Sequence, residues 1–374
     1  MPQIKMVDLH RQYLSIRDEI DAAIQTVVRS SEFILGPAVH EFEEQLCRYL
    51  GAKYAVGCAS GTDALQIAMM ALDIGPGDEV ITSPFAFAAT AEAIVLRGAR
   101  PVFVDIDPET YNIDVSQIAD RITRRTRAII PVHLYGQPVD LNPILSLAWD
   151  KGVHIIEDAA QAIGAQYDSR FLGTLGDFAC LSFYPSKNLG AYGDAGAILT
   201  NDSVLAQKCR MITDHGSSVK YRHEILGLNS RLDSLQAAIL SVKLNHLENW
   251  TESRIRIAHR YNEGLRGLDL ITPHCAPLRR HVYQQYSIRT PKRDDLAAFL
   301  KNKDIGYGIH YPLALHQQPA FKEITGQAER FPVAETVAKE ILCLPIFPEL
   351  QDTEVDTVIN SIHEFFKGRF SNFC

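Results

Sequence analysis

The sequence predicts an α/β protein: a large domain built on a mostly parallel sheet, followed by a smaller α+β domain. Three observations carry this expectation. From about residue 54 to 200, short β-branched runs alternate with amphipathic stretches, as in strand–helix–strand units whose parallel strands need crossovers. Apolar runs such as VHII (153–156) and AIIPV (128–132) lack polar alternation, which suits strands covered on both faces. After Leu228 the alternation gives way to a long apolar pattern at helical spacing.

Each element follows in order. Tyr54–Cys58 reads as the first strand, followed by a helix from Gly61 to about Leu72 that IGPGD (74–78) stops. Val80–Thr82 is the second strand, with a helix through Thr90–Arg97. PVFVDID (101–107), RAIIPVHLYG (127–136), VHIIEDAA (153–160) and FACLSFY (178–184) read as further strands, and GAILT (196–200) closes a series of seven. Helices are expected at Asp114–Ile122 and Leu141–Lys151. Leu232, Leu235, Ile239, Val242, Leu247, Trp250, Ile257 and Tyr261 mark a long helix reaching about Leu265 and joining the two domains. The expected division is 1–250, including the N-terminal segment, and 251–374.

With 374 residues, 46% of them hydrophobic, the chain can bury a sizeable core. A net charge of −8 and a pI near 5.9 argue against general binding to nucleic acid or anionic membrane, which needs excess Lys and Arg. No apolar stretch reaches the roughly 18–20 residues of a membrane span. The N-terminus carries charges throughout and lacks the apolar run of a signal peptide. Seven cysteines (47, 58, 180, 209, 275, 343 and 374) show no C-x-x-C pair and no metal-ligand spacing, so buried or idle thiols in a reducing compartment are expected. The expectation is a soluble, cytoplasmic protein that holds no metal.

Four motifs fall where ligands bind in such a sheet, at strand carboxyl ends near helix N-termini. Ser60-Gly61-Thr62-Asp63 follows a strand and opens a helix; its free N–H groups favour an anion, although an ordinary capped helix would look the same. Phe87, in FAFAAT, is an aromatic suited to stack on a flat ring or to fill core. Asp158, in EDAAQ, ends a buried strand and needs a partner; a protonated pyridine nitrogen would be one, a helix cap another. Lys187, in SFYPSKNLG, lies between a buried strand and a glycine-rich loop, 29 residues after Asp158. Burial there would lower its pKa and fit it for Schiff-base and proton-transfer chemistry; a solvated loop lysine is the plain alternative. A phosphate cradle, a stacking aromatic, an acidic strand end and a lysine, in that order on consecutive units, point to pyridoxal 5′-phosphate.

At this point the chain resembles the DegT/DnrJ/EryC1/StrS family, the sugar-nucleotide aminotransferases of the pyridoxal-phosphate fold type I. The resemblance spans essentially the whole chain: FILGPAVHEFE, GTDALQIA, VHLYGQPVD, EDAAQA, FYPSKNLGAYGDAG, NSRLDSLQAAIL, IHYPLALHQQPAF and LCLPIFPEL, in the family's order. It implies that Lys187 is the Schiff-base lysine and that Asp158 pairs with the pyridine nitrogen. It places Gln161 at the cofactor's phenolic oxygen, Phe87 on the ring, and Gly61, Thr62 and Ser182 at the phosphate. It implies that Asn229 reaches that phosphate from a partner subunit, so that a homodimer shares its sites. His310 and Tyr311 match positions near the sugar, with His316 as a weaker candidate. Arg231 is placed to meet substrate charge, or to form an interface salt bridge. Two positions depart from the common pattern: Ala86, where many members carry Thr, and Ser230, where many carry an aromatic.

The activity so implied is transfer of an amino group from L-glutamate to a keto sugar nucleotide. The NSRLD form resembles members that aminate C3 of a UDP- or dTDP-linked 3-oxo hexose. Among these, the enzymes for UDP-2-acetamido-2-deoxy-3-oxo-glucuronate look most alike. The alternatives are amination at C4, a sugar dehydratase (which has histidine where this chain has Lys187) and a cofactor-binding regulatory protein. The implied setting is polysaccharide biosynthesis, such as lipopolysaccharide.

Overall fold

The computed structural model describes residues 3–325 and 329–368. Seven strands form the main sheet: β1 (Tyr54–Cys58), β2 (Glu79–Thr82), β3 (Arg100–Phe103), β4 (Thr126–Ile130), β5 (His154–Asp158), β6 (Phe178–Ser182) and β7 (Gly196–Thr200). Their order is β1-β7-β6-β5-β4-β2-β3. Neighbouring pairs from β6 through β3 are parallel, and β7 alone runs against both its neighbours. The mostly parallel seven-stranded sheet expected from the sequence is therefore present. The antiparallel β7 has a simple cause. Residues 183–195 contain no helix, and without a crossover the chain can only return beside β6 in the opposite sense.

Helices cover both faces. The ones that matter for the site are α1 (Gly61–Ala71), α2 (Ala88–Leu96), α3 (Leu141–Lys151), α4 (Ser203–Thr213) and α5 (Ser234–Gly264). One core cluster packs Leu65, Ile67, Ala68 and Met69 of α1 and Ile94 of α2 against Val56, Val80, Ile130, Ile156, Phe178 and Ile198 of the sheet. Strand ends are shorter than the apolar runs suggested. In RAIIPVHLYG the regular strand ends at Ile130, before Pro131, which has no N–H to donate, and one further bridge joins Val132 to Asp158.

Asp114–Ile122 forms no α-helix but two short 3₁₀ turns, Val115–Gln117 and Ala119–Arg121. The Asp114 carboxylate takes the Ser116 N–H, the Ser116 hydroxyl and the Gln117 amide. That local bonding competes with α-helical bonding in a segment too short to nucleate it.

Beyond α5 a second core joins Ile257, Tyr261, Tyr286, Ile288, Leu296, Leu342, Val355 and Ile359, and Ile4 belongs to it too. Ile4 accepts from Gly306 N and donates to Asp304 O, so the first residues pack with the C-terminal part. We propose two domains with α5 shared between them; the boundary at 250 falls within this helix. Residues 314–325 and 329–341 return to the sheet, packing Leu315, Phe331 and Val337 with Phe85, Phe103 and Tyr135. This return sets His310 and Tyr311 over the carboxyl ends of the strands.

Among the described residues, no helix is long and apolar enough to cross a membrane, and no group of three or more His, Cys, Asp or Glu could hold a metal ion. Cys58, Cys180, Cys209 and Cys343 are buried free thiols; Cys374 lies outside the described residues.

Candidate active site

A cavity of about 460 Å³ opens at the carboxyl ends of β1, β5 and β6. Its lining includes Gly61, Thr62, Phe87, Asp158, Gln161, Ser182, Lys187, His310 and Tyr311. Nine residues singled out along 250 positions of chain thus meet around one space.

The floor begins at the N-terminus of α1. Ser60 caps the helix, its Oγ accepting from Asp63 N at 3.1 Å. Gly61 is required by proximity: a Cβ there would stand 2.6 Å from the Ser182 Cβ. Gly196 is pressed in the same way, a Cβ falling 2.4 Å from the Ser60 carbonyl. The two glycines let β6, β7 and the helix N-terminus converge, leaving backbone N–H groups and the Thr62 and Ser182 hydroxyls at one end of the cavity. That is a donor set for a phosphate.

β5 carries two carboxylates with different fates, because successive side chains of a strand point to opposite faces. Asp158 turns into the cavity, where it accepts from Thr90 Oγ1 at 2.7 Å and from Ala160 N at 3.2 Å. Glu157 turns away and is fully buried with His133 (3.2 Å) and the N–H groups of Gly173, Leu175 and Gly176. Val139 N donates to His133 Nδ1, so the neutral ring carries its proton on Nε2 and donates it to Glu157. Burial pushes the Glu157 carboxyl up, but His133 and the backbone N–H groups more than offset this and hold it below its ordinary value.

Lys187 sits in the 183–195 connection, which several neighbours hold. Its own N–H bonds to Tyr184 O at 2.8 Å, Asn188 Nδ2 reaches Val282 O at 3.0 Å, and Lys243 Nζ reaches Gly190 O at 2.6 Å. Lys187 Nζ has no hydrogen-bond partner among the described residues. Burial lowers its pKa to about 8, with the Asp158 charge pulling the other way. A fixed, desolvated amine facing a carboxylate across a cavity is what nucleophilic lysine chemistry requires.

Gln161 is fixed by both ends, Oε1 accepting from Tyr135 N at 2.7 Å and Nε2 donating to Tyr311 Oη at 3.2 Å. One N–H of that amide is left for the cavity. Phe87 is 59% exposed, so it is a wall of the cavity and not core; its ring lies 6.0 Å from that of Tyr311. Burial and the Lys187 charge lower the pKa of His310, and burial raises that of the Tyr311 phenol despite its bond to Gln161.

Three expected residues do not line the cavity. Asn229 is exposed and pairs through its backbone with Asp214. Arg231 is 2.6 Å from Asp214 in an ion pair. His316 is a correction: it is buried against Phe331, with Nε2 bonded to Glu335 at 3.2 Å, and does not line the cavity. Thr90, Gln284 and Gln285 were missed. Thr90 had a signal, lying one helical turn after Phe87; the glutamines reach the cavity only through the tertiary return of the chain.

Residues 14–363 match the model of the DegT/DnrJ/EryC1/StrS aminotransferase family. A "Pleiotropic regulatory protein" of Geobacillus stearothermophilus is 50% identical over 97% of this chain and 99% of its own. The "UDP-2-acetamido-2-deoxy-3-oxo-D-glucuronate aminotransferase" of Pseudomonas aeruginosa is 45% identical over 95% of this chain and 98% of its own. Among solved structures, DesV of S. venezuelae superposes with a TM-score of 0.96 at 41% identity, covering 98% of this chain and 99% of that one. The ntda protein of Bacillus subtilis, solved with bound cofactor PMP, gives 0.88 at 33% identity over 94% and 82%.

Fold and site together are those of a pyridoxal-phosphate-dependent transaminase. Within that class, the chain belongs to the DegT/DnrJ/EryC1/StrS aminotransferase family.

Proposed function

We propose that this chain moves an amino group from L-glutamate to C3 of a 3-oxo sugar nucleotide, with UDP-2-acetamido-2-deoxy-3-oxo-glucuronate the favoured acceptor. The observation that carries the reading is Lys187, desolvated and facing Asp158 across a cavity floored by a helix N-terminus. The choice of sugar is supported by the name of the Pseudomonas aeruginosa relative; amination at C4 is the alternative.

Pyridoxal phosphate, when bound, supplies an electron sink for the pair left when a proton departs the donor's α-carbon. The chain's residues do the rest. Gly61, Thr62 and Ser182 hold the phosphate. Asp158, fixed by Thr90 and Ala160, holds the proton of the ring nitrogen. Phe87 covers the ring, and Gln161 offers its remaining N–H to the ring oxygen. Lys187 Nζ would anchor the cofactor and, once freed by the donor's amine, would take the proton from the donor's α-carbon. Its lowered pKa leaves a large neutral fraction near pH 8 for this task. His310 and Tyr311 border the acceptor sugar.

Asn229 is exposed and Arg231 stands beside it, outside their own chain's cavity. We assign both to the cavity of a second copy, in a homodimer with two equivalent shared sites. The Arg231 guanidinium has five donors, and its Nη1 bond to Asp214 leaves others for a uronate carboxylate.

The test is to load the enzyme with the amino form of the cofactor and follow its absorbance against a panel of keto sugar nucleotides. Turnover of 3-oxo substrates, fastest with the uronate, is expected. Turnover with a 4-oxo sugar and none with any 3-oxo sugar would overturn the C3 assignment. Absence of a half-reaction with L-glutamate would leave a cofactor-binding regulatory protein; the Geobacillus stearothermophilus relative is named a "Pleiotropic regulatory protein".

A further inference from the structure

The run Ser60-Gly61-Thr62-Asp63 has the spacing of a capping box, in which the acid at the third helical position folds back over the helix N-terminus to meet the N-cap N–H. A carboxylate in that place would stand where the proposed phosphate needs to be. Only half of the box is formed here: Ser60 Oγ accepts from Asp63 N, whereas Asp63 Oδ2 is taken by Ser230 Oγ at 2.6 Å. Ser230 is 1% exposed. Its Oγ also accepts from Ala59 N at 3.2 Å, and its backbone N–H is bonded to Thr213 O at 3.0 Å. With its acceptor side engaged by Ala59, the hydroxyl proton is aimed at Asp63.

We propose that Ser230 is a positioning residue for cofactor binding: it draws the Asp63 carboxylate off the N-terminus of α1 and leaves those N–H groups to the phosphate. The inference rests on the reading that Gly61, Thr62 and Ser182 form the phosphate cradle. Without the hydroxyl, Asp63 is free to close the box, and its charge opposes a dianion at the same helix end. The consequence falls on the phosphate and not on the pyridine ring, because the Ser230 hydroxyl bonds to Ala59 and Asp63 beside the cradle.

The experiment measures dissociation constants of the whole protein for pyridoxal 5′-phosphate and for pyridoxal, which lacks the phosphate, by absorbance titration. Ser230→Ala is expected to weaken pyridoxal 5′-phosphate binding on the order of tenfold, the scale of a charge at a partly buried helix terminus, and to leave pyridoxal unchanged. Ser230→Thr, which keeps the hydroxyl, should bind as the parent does. Adding Asp63→Asn to Ser230→Ala should restore affinity, since the amide carries no charge. Equal losses for both ligands, no loss at all, or failure of Asp63→Asn to rescue would each overturn the inference. Thr62→Ala separates the two readings. If it weakens the phosphorylated ligand while Ser230→Ala does not, the positioning role alone falls; if it weakens neither ligand, the cradle reading falls too.

Discussion

Two lysines meet at the same loop, Lys243 against it from α5 and Lys187 within it, and burial lowers both to a pKa of about 8. Lys243, 1% exposed on α5, donates to Gly190 O at 2.6 Å and lies 4.2 Å from the centre of the Tyr192 ring. Lys187 faces the cavity with Asp158 as the charge that answers it. Desolvation is common to the two, so desolvation does not make a catalytic group. What separates them is where the nitrogen's valence goes. Lys243 spends it on the backbone of the loop, and Lys187 keeps it for a ligand. The first lysine is part of what holds the second: a Cβ on Gly190 would fall 2.2 Å from Pro185 O, two residues before Lys187.

The largest test of the contrast is Lys187→Ala. It should cut transamination by roughly 10⁴-fold or more, because anchor and proton carrier are lost together. Steady-state turnover above a hundredth of the parent rate would sink the assignment. Lys243→Met should fold, lose less than about tenfold in rate, and be destabilised by about 1–3 kcal/mol through the unsatisfied Gly190 carbonyl. A loss as deep as that of Lys187→Ala would mean that the two roles had been assigned the wrong way round.

The two carboxylates of β5 repeat the contrast. Asp158→Asn should lower the rate roughly 10²–10⁴-fold at near-parent stability, since the Asn amide can still accept from Thr90. Glu157→Gln should keep the rate and lower the unfolding midpoint. Glu157 is held below its unfolded pKa, so its stabilisation is present above that value and is lost as pH falls through the folded pKa. Urea unfolding of parent and Glu157→Gln from pH 6 down to pH 3 should therefore converge. Curves that stay parallel would show that the Glu157 charge contributes nothing.

Much of this was legible beforehand because it is local. Strand and helix alternation, the capped start at Ser60 and the acid at the end of VHII are features of short windows, and their position at strand ends follows from the parallel sheet. What could not be read needed tertiary information. The reversal of β7 depended on residues 183–195 lacking a helix. Gln284 and Gln285 sit in the C-terminal part and reach the cavity because residues around 135 and 282 pair, Val282 N with Gly136 O and Gln284 N with Tyr135 O. His316 shows the opposite failure: a histidine six residues beyond His310, in a segment resembling the family's, is spent on Glu335 and Phe331. Lys243 carried no signal at all, since a lysine in a helical pattern reads as a solvated one.

The smallest effect expected separates the lysines by linkage. Lys243 has a folded pKa near 8 and an unfolded one near 10.5, so between those values the unfolded chain binds a proton that the folded chain does not. Stability must then rise with pH across that window, by at most about 1.4 kcal/mol per pH unit from this group. Glu349, whose charge faces Lys243, flattens the slope without changing its sign. Lys243→Met removes this contribution, so the gain in urea midpoint between pH 8 and pH 10 should be smaller in the variant than in the parent, both taken without cofactor. Lys187 contributes a rise of the same sign in that state, and bound cofactor should abolish it by engaging the amine, while the Lys243 share persists. An equal gain in Lys243→Met and parent would show that Lys243 stays charged through the window and that its bond to Gly190, not its desolvation, governs its protonation.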